Sequence, residues 1–174
     1  MFQSIRTNLI MGLRTSPWHK PVLNFGLFIV FVVIALNIGF TKELLNVEVL
    51  DTELVYILPF ALFLFPSLFE ELVFRGLLIP NNTASKGVKH ITFYCLLSAG
   101  LFVIWHPLNA LTINPSAQRF FLDPWFLVIV FVLGSVCSLG YIFSRSLWVP
   151  IVMHWLTVMA WVFLLGGRNL ILEQ

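Results

Sequence analysis

An all-α polytopic membrane bundle of about five transmembrane helices, forming one integral membrane domain over 1–174, is the fold this sequence predicts, and three observations carry it. Apolar residues make up 59% of the 174-residue chain and charged residues only 10%, with a mean hydropathy of +0.95, far outside the composition of soluble domains. Five apolar runs, at about 21–40, 53–79, 91–111, 124–143 and 147–167, are each bounded by charge, proline or polar residues. A bilayer core of roughly 30 Å is crossed by about 20 helical residues, so each run is a spanning candidate. The loops between them are short, and no repeat, linker or low-complexity tract divides the chain.

The first run, "PVLNFGLFIVFVVIALNIGF", holds no charge. It is longer than the apolar region of about 7–15 residues in a signal peptide and lacks a small-residue cleavage site, so it reads as a retained helix. The second contains "PSLFEELVFRG", where Glu70, Glu71 and Arg75 interrupt the apolar pattern. The third carries His106 in "LFVIWHPLNA". Pro107 offers no N–H to the Val103 carbonyl and disfavours helical geometry at His106, which predicts irregular backbone there. In the fourth, Gly134 and Ser138 stand four apart, a spacing suited to close helix packing, within the bundle or in a dimer. The fifth carries His154 in "SLWVPIVMHWLTV", where Pro150 either frees the Ser146 carbonyl or opens the helix.

Flanking lysines and arginines orient such a bundle. Arg6, Arg14 and Lys20 precede the first run, Lys86 and Lys89 follow the second, and Arg145 follows the fourth. These three segments fall on one side, predicted to be cytoplasmic. The opposite segments hold Lys42, Arg119 and Arg168, and the first of them is acidic through Glu43, Glu48, Asp51 and Glu53. The expectation is a multi-pass protein of the inner (plasma) membrane with its N-terminus in the cytoplasm. A net charge of +2 with scattered positives argues against a nucleic-acid partner. Cys95 and Cys137 lie in apolar stretches without C-x-x-C spacing, which signals neither a zinc site nor a disulfide framework. Trp18, Trp125 and Trp148 sit near predicted helix ends, whereas Trp105 and Trp155 each adjoin a histidine.

Ionisable groups at membrane depth cost roughly 2.5–3.5 kcal/mol each even on lenient insertion scales, so they face the bundle interior and mark function. Glu71 and Arg75 are one helical turn apart and can pair, while Glu70 points about 100° away and must find a partner on another helix. The plainer alternative is an interfacial ion pair with Glu70 snorkelling to the headgroups. The other ionisable groups well inside the runs are His106 and His154. A carboxylate and two imidazoles around water suit hydrolysis: Glu70 takes a proton from water, and histidine assists the oxyanion or the leaving amine. The same three residues could instead ligate a divalent metal such as zinc, although no H-E-x-x-H spacing supports this.

"EELVFR" (Glu70, Glu71, Arg75), "FVIWH" (Phe102 to His106) and "SRSLWVPIVMH" (ending at His154) together resemble the CPBP family over about residues 60–165. That family includes CAAX prenyl proteases and Abi-like bacteriocin-processing or immunity proteins, with the ordered pattern E-E-x-x-x-R, F-x-x-x-H and H-x-x-x-N or H-x-x-x-D. The resemblance implies a glutamic-type intramembrane protease without an obligatory metal or other cofactor. Its substrate would be a membrane-anchored or lipid-modified protein in the lipid bilayer. Glu70 would activate water with His106 and His154 as partners, supported by Glu71 and Arg75. The tail "HWLTVMAWVFLLGG" is similar to short bacterial members, some of them sorting proteases. Val158 stands where the family has Asn or Asp, with Asn109 and Thr157 the nearest polar side chains to replace it. Two other classes remain open: a catalytically silent membrane scaffold or immunity protein, and a metal-dependent hydrolase.

Overall fold

Each of the five apolar runs folds as helix in the computed structural model, which describes residues 2–167. Arg168 therefore lies outside the described residues. The charge-free first run is α2 (Pro21–Thr41), opened by a proline at its first position, where the missing N–H costs nothing. The third is α5 (Val88–Thr112) and the fourth α7 (Pro124–Ser144), capped by Asp123, whose Oδ1 accepts from the backbone N–H of Trp125 at 2.8 Å and of Phe126 at 2.9 Å. These three are long and apolar enough to cross a membrane. The fifth is α8 (Trp148–Leu164), shorter at 17 residues. Buried residues make up 56% of the most apolar window of α7 but 17% of that of α2, so α7 is the central helix and α2 a peripheral one. Accordingly α2, α5 and α8 all pack on α7.

The second run departs from a plain spanning helix. It begins with α3 (Leu58–Leu62), passes through a π-helical turn over Phe63–Leu68, continues as α4 (Phe69–Glu71) and ends in a second π-helical turn over Leu72–Leu77. Phe65 is extended (φ −142°, ψ 118°) and the Phe65–Pro66 peptide is cis. The cause is Pro66, which lacks an N–H and excludes helical geometry from the residue before it. The segment before α3 is loop, so the apolar run starts five residues later as helix than its composition suggests.

The break expected at Pro107 does not occur. α5 runs through it uninterrupted, because its long contact with α7 outweighs one lost backbone hydrogen bond. Pro150 lies in the first turn of α8, where its N–H would have no helical partner anyway, and the Ser146 carbonyl accepts from Ser144 Oγ at 3.3 Å. The close packing predicted at Gly134 and Ser138 is intramolecular. A Cβ on Gly134 would stand 3.2 Å from Ala99 Cα on α5, and Ser138 Oγ lies 3.1 Å from Ser98 Oγ.

The N-terminal arm is itself a helix, α1 (Phe2–Arg14), which the sequence reading did not foresee. It is fastened across one end of the bundle. Asn8 Nδ2 donates to the carbonyls of Gly76 (3.2 Å) and Ile79 (2.8 Å), its Oδ1 accepts from Asn81 N–H (2.7 Å), and the Gly12 carbonyl accepts from Leu147 N–H (2.9 Å). Asn81 Nδ2 in turn donates to the Arg145 carbonyl at 3.2 Å. The three basic segments thus meet at one end, as the charge pattern requires. At the other end, the N–H groups of Asn46, Glu48 and Leu50 donate to the carbonyls of Leu165, Leu164 and Phe163 at 3.3, 3.1 and 3.0 Å. Lys42 Nζ stands 4.2 Å over the Trp125 ring there.

Candidate active site

The broken helix delivers Glu70 and Glu71 into the bundle interior, where they are 5% and 0% exposed. Arg75, one turn on, is also fully buried, and its Nη1 donates to Glu71 Oε1 at 2.9 Å, the pairing that the spacing predicts. Two further contacts hold the guanidinium. Nη2 donates to the Gly134 carbonyl at 3.0 Å, and the Phe102 ring lies 4.6 Å from Cζ. Ser138 Oγ donates to the same Gly134 carbonyl at 2.7 Å, so the glycine that lets α5 and α7 approach also anchors the arginine.

Glu71 has a second partner that helical spacing did not reveal. His154, from the middle of α8, places Nδ1 at 2.9 Å from Glu71 Oε1. The carboxylate accepts, so Nδ1 carries a proton, and Nε2 faces Glu70, whose Oε2 is 4.0 Å away. That distance exceeds a direct hydrogen bond but suits one shared water. The two acids therefore divide as expected only in part. Glu71 is structural toward Arg75 and orienting toward His154, while Glu70 turns away from that pair with no cationic side chain in hydrogen-bond range among the described residues.

The partner of Glu70 is Trp105, whose Nε1–H donates to Oε1 at 2.9 Å. The sequence held a hint of this, since Trp105 lies away from the helix ends and next to His106, but nothing local points its indole at a residue 35 positions earlier. His106 donates Nδ1–H to the Phe102 carbonyl at 2.9 Å, and its ring is enclosed by Phe102 and Phe121, with centroids at 4.9 and 4.8 Å. Its Nε2 is thereby left as an acceptor in the neutral form.

Glu70, His106 and His154 line one cavity of about 560 Å³, walled mainly by apolar side chains that include Phe31, Phe65 and Trp161. Asn109, Thr157 and Val158 line it too. Thr157 Oγ1 bonds back to the Met153 carbonyl at 2.8 Å, whereas the Asn109 side chain, on a residue 7% exposed, makes no hydrogen bond among the described residues. Of the two polar candidates near Val158, Asn109 is therefore the one with a donor to spare. Among the described residues no three His, Cys, Asp or Glu side chains are grouped so as to hold a metal ion. Glu70, His106 and His154 share the cavity, and each imidazole commits its Nδ1 to a neighbouring oxygen, which leaves Nε2 as its uncommitted ring nitrogen.

No curated protein and no solved structure matches the chain. The family pattern of type II CAAX prenyl endopeptidase Rce1-like proteins, however, matches residues 52–160. That stretch opens ahead of the broken helix and closes within α8, so it contains every residue of the buried Glu70, Glu71, Arg75, His106 and His154 constellation. With more than half of its length matched and that constellation inside the match, the chain belongs to the type II CAAX prenyl endopeptidase Rce1-like family, a family of membrane peptidases.

Proposed function

We propose that the protein is a glutamic-type intramembrane endopeptidase that hydrolyses a peptide bond of a membrane-anchored or lipid-modified protein. The observation that carries this reading is a buried carboxylate, Glu70, fixed at one oxygen by Trp105 and facing a largely apolar cavity with the other, in company with His106 and His154. Water held between Glu70 Oε2 and His154 Nε2 loses a proton to Glu70 as its oxygen attacks the scissile carbonyl carbon. The carbonyl electron pair moves onto oxygen, and the Asn109 amide donates to the oxyanion that forms. When the tetrahedral intermediate collapses, the C–N bond breaks and Glu70 returns the proton to the leaving amine. His106 offers Nε2 as an acceptor and so orients water or a substrate N–H. Glu71 keeps His154 in one tautomer and one rotamer, and Arg75 balances the charge of Glu71.

This scheme uses the side chains alone, and chelator-treated protein should retain its turnover. The test is cleavage of an anchored reporter peptide by protein reconstituted in bilayers: wild type cuts it, and Glu70→Gln does not. A catalytically silent scaffold is the second reading, favoured by Val158 standing where the family has Asn or Asp. Absence of wild-type turnover on every anchored or lipid-modified reporter, with binding retained, would select it.

A further inference from the structure

We propose that α1 is a clamp that sets His154 against Glu71, with Asn8 as a positioning residue for the hydrolysis. Its effect on turnover rests on the hydrolytic reading above; the fastening itself does not. α1 lies outside the matched residues 52–160, so the family match does not account for it.

The segment that carries Glu70, Glu71 and Arg75 ends in a carbonyl without a donor of its own. At α-helical spacing the Gly76 carbonyl would accept from residue 80, but Pro80 has no N–H. At π-helical spacing it would accept from Asn81, whose N–H goes instead to Asn8 Oδ1 at 2.7 Å. The Ile79 N–H is also spent, on the Arg75 carbonyl at 3.0 Å. Asn8 supplies what the segment lacks, since Nδ2 donates to the carbonyls of Gly76 and Ile79 at 3.2 and 2.8 Å. An asparagine from another helix thus serves as the missing cap. A Cβ on Gly76 would run into Leu9, so the glycine lets α1 come this close.

The other end of α1 is fastened to the start of α8. The last carbonyls of one helix and the first N–H groups of another both lack partners within their own helix, and here they meet. Leu147 N–H, from the residue that opens α8, donates to the Gly12 carbonyl at 2.9 Å. Trp148 Nε1–H donates to the Leu13 carbonyl at 2.8 Å, and Ser146 Oγ to the Thr15 carbonyl at 2.8 Å. α1 therefore joins the end of the segment that carries Glu71 to the start of the helix that carries His154. His154 follows Trp148 within two turns, and its Nδ1 meets Glu71 Oε1 at 2.9 Å. That hydrogen bond needs the two elements in register, and α1 grips both. A misplacement of about 1 Å by a change remote from the chemistry can cost about 100-fold in rate.

The imidazole signals of protein labelled with nitrogen-15 histidine read the clamp without turnover, assigned by His154→Gln and His106→Gln. His106, on α5 and outside the clamped elements, is the internal reference. The expected result is that Asn8→Ala and Ser146→Ala each shift the His154 signal and leave that of His106 in place. In the reporter assay each should lower kcat by about 10- to 100-fold with KM little changed. Asn8→Asp, which keeps Oδ1 but turns an oxygen toward two carbonyls, should do no better than Asn8→Ala. A helix that merely stabilises the bundle would lower the melting temperature and leave the His154 signal and kcat native, and that result overturns the proposal. Failure of both variants to fold overturns it too, since α1 would then be required for the fold itself. A native His154 signal in Asn8→Ala, with cleavage that Glu70→Gln abolishes, removes the clamp and leaves the hydrolytic reading standing. A shifted His154 signal with no wild-type cleavage of any reporter does the reverse.

Discussion

Replacing Glu71 by glutamine removes one charge and almost no shape, which makes it the sharpest probe of the buried constellation. In the native protein both Arg75 Nη1 and His154 Nδ1 donate to the same oxygen, Oε1, at 2.9 Å, while Oε2 has no partner. A glutamine can set its carbonyl oxygen at the Oε1 position and keep both hydrogen bonds. What it loses is the counter-charge of a guanidinium that is 0% exposed, and it adds an amide N–H₂ where no acceptor waits. Breaking a buried pair from one side costs about 3–5 kcal/mol. At about 2–4 °C per kcal/mol for a chain of this size, the melting temperature should fall on the order of 10 °C. Glu70→Gln is the control, because Trp105 can donate to the glutamine carbonyl as it does to Oε1 and no cation loses its partner. The assay is thermal unfolding in one detergent, read beside cleavage of the anchored reporter. Glu71→Gln should be markedly less stable and Glu70→Gln inactive but close to native in stability. Equal melting temperatures for the two variants would refute the argument that Glu71 holds the cation and Glu70 the chemistry.

Asn109→Ala should lower turnover by about 100- to 1,000-fold, the usual cost of losing one oxyanion donor, in the same reporter assay. Thr157→Val should change little, since that hydroxyl is already spent on the Met153 carbonyl, and Val158→Asn should be tolerated and restore part of the activity lost in Asn109→Ala. Trp105→Phe keeps the ring but removes a donor to a carboxylate, an interaction of about 1.5–3 kcal/mol, so kcat should fall at least about tenfold with KM little changed. Gly134→Leu should reduce folded yield, because a side chain there meets Ala99 and Phe102 and displaces the carbonyl that Arg75 and Ser138 share, which size-exclusion recovery would report.

Much of this protein was legible in one dimension because the bilayer imposes a local rule. Length and apolarity suffice to find α2, α5, α7 and α8, and the price of a buried charge suffices to single out Glu70, Glu71, Arg75, His106 and His154. The Glu71–Arg75 pair follows from helical spacing alone. Proline shows where local rules stop. Pro66 and Pro107 each remove one backbone donor, yet the chain breaks at the first and runs straight through the second, since α5 is held along α7 and the segment around Phe65 is not held in the same way. The partners of the two acids were equally hidden. Trp105 reaches Glu70 across 35 residues and His154 reaches Glu71 across 83, and which indole or imidazole points inward depends on how whole helices are rotated and crossed. The sequence determined which groups must be buried. Only the packing of helices, through Gly134 against Ala99 and α8 against the broken helix, decided which of them touch and which of them share one cavity.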